Sequence, residues 1–147
     1  GEAGAGIADL IAYTVSKESG ISMEQARSNI FLVDSKGLIT KNRPDAKAGK
    51  LQHHKVPYAH DVQDCSDFKD AIRQLQPTAI IGVSAIPKTF DEEVCKLMAS
   101  INKTPIIFAL SNPTSKAECS AEFEIESETE SRTESESKSS TESKGEY

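Results

Sequence analysis

The chain opens on Gly1-Glu2-Ala3-Gly4-Ala5-Gly6, a run of small residues set directly ahead of a helical apolar repeat. In a βαβ unit that binds a dinucleotide, a strand ends in G-x-G-x-x-G. Those glycines permit a tight turn, close approach of the backbone to a pyrophosphate, and close packing of the next helix. Gly1 and Gly4 fit the last two of the three, with no strand written ahead of them, so the chain is expected to begin partway through such a unit, as a fragment. Ile7, Leu10, Ile11 and Val15 recur at helical spacing and read as a core stripe, with Ala5 and Ala8 small enough to approach a sheet. The free N–H groups of that helix start would face an anion. The same residues also read as a plain Gly/Ala helix entry, and no Gly-Lys-Ser/Thr follows to make a P-loop.

Charge divides the 147 residues into two regions. Residues 1 to 123 carry 14 Lys and Arg against 15 Asp and Glu, whereas residues 124 to 147 carry 3 against 8, so nearly all of the net −6 belongs to the end of the chain. That final segment holds 7 Ser, 3 Thr and a single aliphatic residue, Ile125. It is too polar to offset the entropy of ordering and is expected to be a disordered acidic tail behind a domain of residues 1 to 123. Ser127 and Ser131, each followed three residues later by Glu, resemble sites of acid-directed kinases, beside the plainer reading of a solvated tail. With 5% aromatic residues and no basic patch, a nucleic-acid surface is not expected. No apolar run approaches the length that crosses a membrane, so no membrane partner is expected. Cys65, Cys95 and Cys119 are odd in number, far apart and without C-x-x-C spacing, which fits buried or idle thiols in a reducing compartment rather than a disulfide or metal role. The chain is expected to be intracellular, cytoplasmic or mitochondrial. His53, His54 and His60 lie in a polar stretch and read as solvated or as phosphate contacts.

Helical and strand patterns alternate along the rest, as in a parallel α/β sheet. Ser22-Met23-Glu24-Gln25 has capping-box spacing. Ile30-Phe31-Leu32-Val33 reads as a buried parallel strand ending in Asp34, and residues 41 to 60 read as a loop. Ser66 is placed to cap a helix carrying Phe68, Ala71, Ile72 and Leu75, stopped by Pro77. A strand over 78–83, a helix capped by Asp91 with Val94, Leu97, Met98 and Ile101 inward, and a strand over 105–110 complete the pattern. Ligands of open α/β sheets sit outside the carboxyl ends of the strands, which directs attention to Asp34, Ser84 and Asn112.

Four landmarks now stand in order: the glycine loop, Val33-Asp34-Ser35-Lys36-Gly37-Leu38-Ile39, Ile80-Ile81-Gly82-Val83-Ser84, and Ile107-Phe108-Ala109-Leu110-Ser111-Asn112-Pro113-Thr114-Ser115-Lys116-Ala117-Glu118-Cys119. Together they resemble the C-terminal NAD(P)-binding domain of the malic enzymes, the decarboxylating malate dehydrogenases, from Gly1 to about Glu122. The resemblance implies a partial Rossmann-like, doubly wound parallel sheet without its first strand. It also implies an intact enzyme that oxidatively decarboxylates L-malate to pyruvate with NAD or NADP and a divalent metal, Mg or Mn, and that forms a homo-oligomer. By the same resemblance Gly1, Glu2, Ala3 and Gly4 contact the pyrophosphate, Asp34 holds the adenine ribose, Ser84 lies near the nicotinamide half, and Asn112 hydrogen-bonds the substrate. Asp34 stands 30 residues beyond Gly4 rather than the usual ~20 because the Ser22 helix intervenes. Ser35 and Lys36, with Lys50 or Lys55, can offer a hydroxyl and a cation to an adenosine 2′-phosphate, which favours NADP over NAD.

The family's metal carboxylates, general-base Lys and general-acid Tyr precede the glycine loop and have no counterpart here, so no catalytic or metal-binding residue is assigned and the chain alone is expected to be inactive. A sheet without its central strand is expected to be unstable or prone to aggregate. Ala85-Ile86-Pro87-Lys88 occupies a stretch where many relatives have more glycine, which implies a stiffer loop. The competing reading is a non-catalytic nucleotide-binding or interaction protein that engages a basic partner through its acidic tail.

Overall fold

A computed structural model describes residues 1–119. The expected boundary at residue 123 and the acidic segment beyond it lie outside the described residues. Two compact units divide the chain, Gly1–Ala71 and the part from Ile72 onward.

The first unit opens with helix α1 (Glu2–Ser19), entered at Gly1 without a side-chain cap and closed by Gly20 at φ +67°. Its buried face is Ala5, Ala8 and Ala12. The expected stripe is therefore not the core: Leu10 is 66% exposed, Ile11 and Val15 are exposed, and Ile7 is half-buried. The reason is steric. Helix α2 (Met23–Arg27) and the 3-10 helix His53–Tyr58 pack on α1, and an alanine surface lets backbones approach where branched side chains would hold them apart. Tyr58, fully buried, completes that contact by donating its hydroxyl hydrogen to Asp9 Oδ1 at 2.7 Å, where Arg27 Nη2 also donates at 2.8 Å. The Arg27 guanidinium lies 5.7 Å from the Tyr58 ring centre.

Local signals hold in α2. Gln25 N–H donates to Ser22 Oγ at 3.1 Å and Ser22 N–H to Gln25 Oε1 at 3.0 Å, closing the capping box. The apolar run after it does not become a parallel strand. Only Val33–Asp34 (β1) is paired, antiparallel to Gly37–Leu38 (β2), and Ile39 N–H donates to the Leu32 carbonyl. A strand exists only where a neighbour completes its ladder, and among the described residues none lies parallel to this run. The stretch read as a loop contains a short helix α3 (Pro44–Lys47) and the 3-10 helix. His60 is not solvated: its Nε2 donates to the Ile30 carbonyl at 2.8 Å and its ring tilts against Phe31.

Helix α4 (Phe68–Leu75) spans the division between the units. Asp67, rather than Ser66, satisfies its first turn, accepting from Lys69 and Asp70 N–H at 2.8 and 3.1 Å. In the second unit, β3 (Ala79–Gly82) and β4 (Ile106–Ala109) pair in parallel, joined through α5 (Glu92–Ile101). Asp91 caps α5 by accepting from Val94 N–H at 3.0 Å. The core is Ile72, Ile80, Phe90, Val94, Cys95 and Met98, while Ile106, Phe108 and Leu110 on the other face of β4 are about half exposed. The expected α/β class, with a parallel strand pair and a crossover helix, is thus what the chain forms.

Gly37 tests how tightly the hairpin is set. Its φ is +101°, and a Cβ there would collide with the Cys65 carbonyl oxygen and Ser66 Cα, both backbone atoms. Gly37→Ala should therefore lose about 3 kcal/mol, strain and overpacking together, in urea unfolding of the chain.

Candidate functional site

Asp34 ends β1, and the turn to β2 brings the chain back past it. A carboxylate in that place, half-buried, requires cations. Arg43, only 5% exposed at the entry to α3, places Nη1 2.9 Å from Asp34 Oδ1 and Nη2 3.4 Å from Oδ2. Its Nε and Nη2 also hold Asp45, at 3.0 and 2.7 Å, and Nη1 reaches the Gly37 carbonyl at 3.4 Å. Lys55 Nζ, from the 3-10 helix, lies 2.8 Å from Asp34 Oδ2. Lys36 contributes twice: its N–H donates to Asp34 Oδ1 at 3.0 Å, and its Nζ, on a side chain 69% exposed, sits 3.3 Å from Asp45. Thr40, fully buried, donates its hydroxyl to Asp64 and accepts from Arg43 N–H, fixing the residue that carries the guanidinium.

The electrostatics follow from this packing. Burial pushes the Asp34 carboxyl up, but hydrogen bonds from Arg43, Lys55 and the Lys36 amide more than reverse it and bring its pKa to about 2. Arg43, hydrogen-bonded first of all to Asp45, is held above its ordinary range, and Asp45 is held well below the carboxylate range by Arg43. Three cations and two carboxylates give the cluster a net charge of +1. Asp34 already receives two donors on each oxygen, about all a carboxylate can accept. A ribose hydroxyl would have to displace one of them. Lys36 is the cation with most freedom to turn, since an exposed ion pair holds it weakly.

In the second unit, Ser84 follows β3 and Ser111-Asn112 follows β4, where the carboxyl ends of parallel strands face outward. Ser84 N–H donates to Glu118 Oε1 at 3.1 Å, and Ser111 donates from Oγ at 2.6 Å and from N–H at 3.4 Å to the same carboxylate. Ala85 N–H donates to Ser111 Oγ at 2.8 Å, so the two strand ends are tied together. Asn112 is exposed ahead of a cis bond to Pro113. Ala85 and Lys88 hold φ of +56° and +61°, the left-handed region in which glycine is at ease, within the stretch read as a stiffer loop.

Asp34, Lys36 and Lys55 are thus brought together, with Ser35 exposed beside them, and Lys50 takes no part in the ion-pair cluster. Gly1 to Gly4 form the open first turn of α1, and Ser84 and Asn112 stand at neighbouring strand ends. Arg43, Asp45 and Glu118 were missed in the sequence. Arg43-Pro44-Asp45 did carry a signal, a proline at the first helical position with an acid in the first turn. Glu118, between Ala117 and Cys119, carried none. Among the described residues, no group of three or more His, Cys, Asp and Glu is placed to hold a metal ion.

The chain matches the family described as malic enzyme, NAD binding domain, over residues 1–137. It is 52% identical over 122 residues to the chloroplastic NADP-dependent malic enzyme of Flaveria trinervia, which covers 83% of this chain and 18% of that protein. Against NADP-dependent malic enzyme 4, chloroplastic, of Arabidopsis thaliana the identity is 50%, with the same coverages. The chloroplastic NADP-dependent malic enzyme of Solanum lycopersicum is 51% identical, covering 83% and 21%. The chain spans about a fifth of the length of these relatives.

Asp34 has a pKa below its unfolded value of 3.8, so its ionisation contributes stability that is complete above that value and lost as pH falls through about 2. Acid titration of the unfolding free energy should show Asp34→Asn losing about 2 kcal/mol of that pH-dependent change; an unaltered acid slope would contradict the ion-pair geometry.

Proposed function

Because the chain belongs to the malic enzyme family through its NAD-binding domain, we propose that it binds NADP in preference to NAD and serves a protein that oxidatively decarboxylates L-malate to pyruvate. The observation that carries the cofactor preference is the net positive cluster around Asp34. NADP differs from NAD by one 2′-phosphate, a dianion that needs cations and donors rather than another carboxylate. Ser35 and Lys36 are exposed beside Asp34, and Lys55 is held on Asp34 Oδ2, where a ribose hydroxyl would displace it towards that phosphate. Arg43 stays in place, keeping Asp34 ionised while its neighbours move. The similarity to NADP-dependent malic enzymes supports the same preference.

In this reading Gly1, Glu2, Ala3 and Gly4 meet the pyrophosphate at the α1 N-terminus, whose 18-residue helix supplies free N–H groups and a favourable dipole. Ser84 faces the nicotinamide half. The Asn112 amide orients a substrate carboxylate without adding charge. NADP, when bound, supplies the acceptor for hydride from malate C2; this chain's residues bind and orient. Divalent metal and the acid and base groups are assigned to the remainder of the length seen in the relatives, and a homo-oligomeric whole protein at an intracellular site is part of the same proposal. The described residues contain no helix long and apolar enough to cross a membrane.

Titrating NADPH and NADH into the chain tests the reading. Lys36→Glu and Lys55→Gln should each weaken NADPH about tenfold relative to NADH, the scale of one lost charge-assisted contact. An unchanged ratio in both variants would sink the NADP preference.

A further inference from the structure

We propose that Glu118 is the positioning residue for the cofactor and substrate loops after β3 and β4, an inference that rests on the assignment of Ser84 and Asn112 to those roles. Its side chain is fully buried, yet it reaches two strand ends at once. Oε1 accepts from Ser84 N–H and Ser111 Oγ, Oε2 accepts from Ser111 N–H, and the Glu118 backbone carbonyl accepts from Phe90 N–H at 3.3 Å. The residue is thereby fixed from its own main chain as well as from its carboxylate.

Space for this carboxylate exists because β3 ends in glycine. A Cβ on Gly82 would collide with Glu118 Cγ and Cδ, so the absent side chain of one strand residue is the room occupied by the acid. Burial opposes ionisation, but the Ser111 hydroxyl and the surrounding backbone N–H groups hold the pKa below its ordinary 4.5. Three donors converge on two oxygens. A glutamine of the same shape keeps one acceptor and must aim its own N–H hydrogens at one of those donors. The negative charge is therefore part of the fit, beyond the shape of the side chain.

The consequence concerns which groups are left for ligands. Backbone N–H groups at the carboxyl ends of parallel strands are natural ligand donors. Here Glu118 consumes those of Ser84 and Ser111, and Ser111 Oγ takes that of Ala85. Exposed beside the clamped amides are the Ser84 side chain and the side chain of Asn112, whose amide follows one residue beyond the clamped Ser111. Glu118 sets the direction in which that amide leaves the sheet without touching a ligand itself.

Amide hydrogen exchange on the full 147-residue chain reads the clamp directly. Glu118→Gln should speed exchange at both Ser84 and Ser111 about tenfold or more, with less change at the core amides of Val94 and Met98, and should weaken NADPH binding about tenfold. Ser111→Ala, which keeps the charge and removes one donor, should shift both readouts the same way by a smaller factor. Unchanged exchange at the two amides, equal acceleration at the core amides, or faster exchange with wild-type NADPH affinity would each overturn the proposal. A wild-type chain that binds no NADPH would sink the assignment of Ser84 and Asn112 instead, while the exchange measurement still decides whether Glu118 clamps the strand ends.

Discussion

A guanidinium with almost no access to solvent organises the first unit. Arg43 lies between Asp34 and Asp45 and also reaches the Gly37 carbonyl, so the end of β1, the hairpin turn and the first turn of α3 meet on one side chain. Burying a single charge is costly, and burying an arginine between two acids is tolerable because its planar fork presents donors to both. Take the guanidinium away and two carboxylates are left near one another with only lysines to separate them. The depressed pKa of Asp34 and the short α3 both depend on this one residue.

The second unit solves a related problem with the opposite charge. There an anion, Glu118, collects donors from the loops after β3 and β4, in a space left by Gly82. In both units a fixed charge holds backbone in place and leaves other groups exposed at the surface: Ser35 and Lys36 in one, Ser84 and Asn112 in the other. Such an arrangement suits ligand binding, because the rigid part is settled before the ligand arrives and less ordering remains to be done on binding.

The sequence was legible wherever the deciding interaction is local. Ser22 and Gln25 cap each other across three residues, Asp91 caps α5, and the two β-rich runs at 79–82 and 106–109 pair in parallel with α5 between them. The strand patterns over 78–83 and 105–110 placed Ser84 and Asn112 at strand ends. Legibility failed where a choice depended on a distant partner. Ile30 to Val33 has the composition of a buried strand but pairs only through its last residue, because a ladder needs a neighbour. Along α1, spacing identified an apolar stripe, yet the buried side is alanine, since close helix packing selects small residues over large ones. Asp67 displaced Ser66 as the cap of α4, and His60 found a carbonyl thirty residues away.

By itself the sequence determined the α/β class, the succession of β3, α5 and β4, the family, and the residue types that stand at the ends of those strands. Those are fixed by short-range periodicity, caps and dense motif strings. Tertiary structure alone decided which lysine reaches Asp34, that Arg43 is shared between two acids, that α1 buries its alanines, and that Glu118 gathers Ser84 and Ser111. Each of these depends on two or more segments arriving at one point, where burial raises the cost of an unpaired charge or donor, and no window of adjacent residues contains that information.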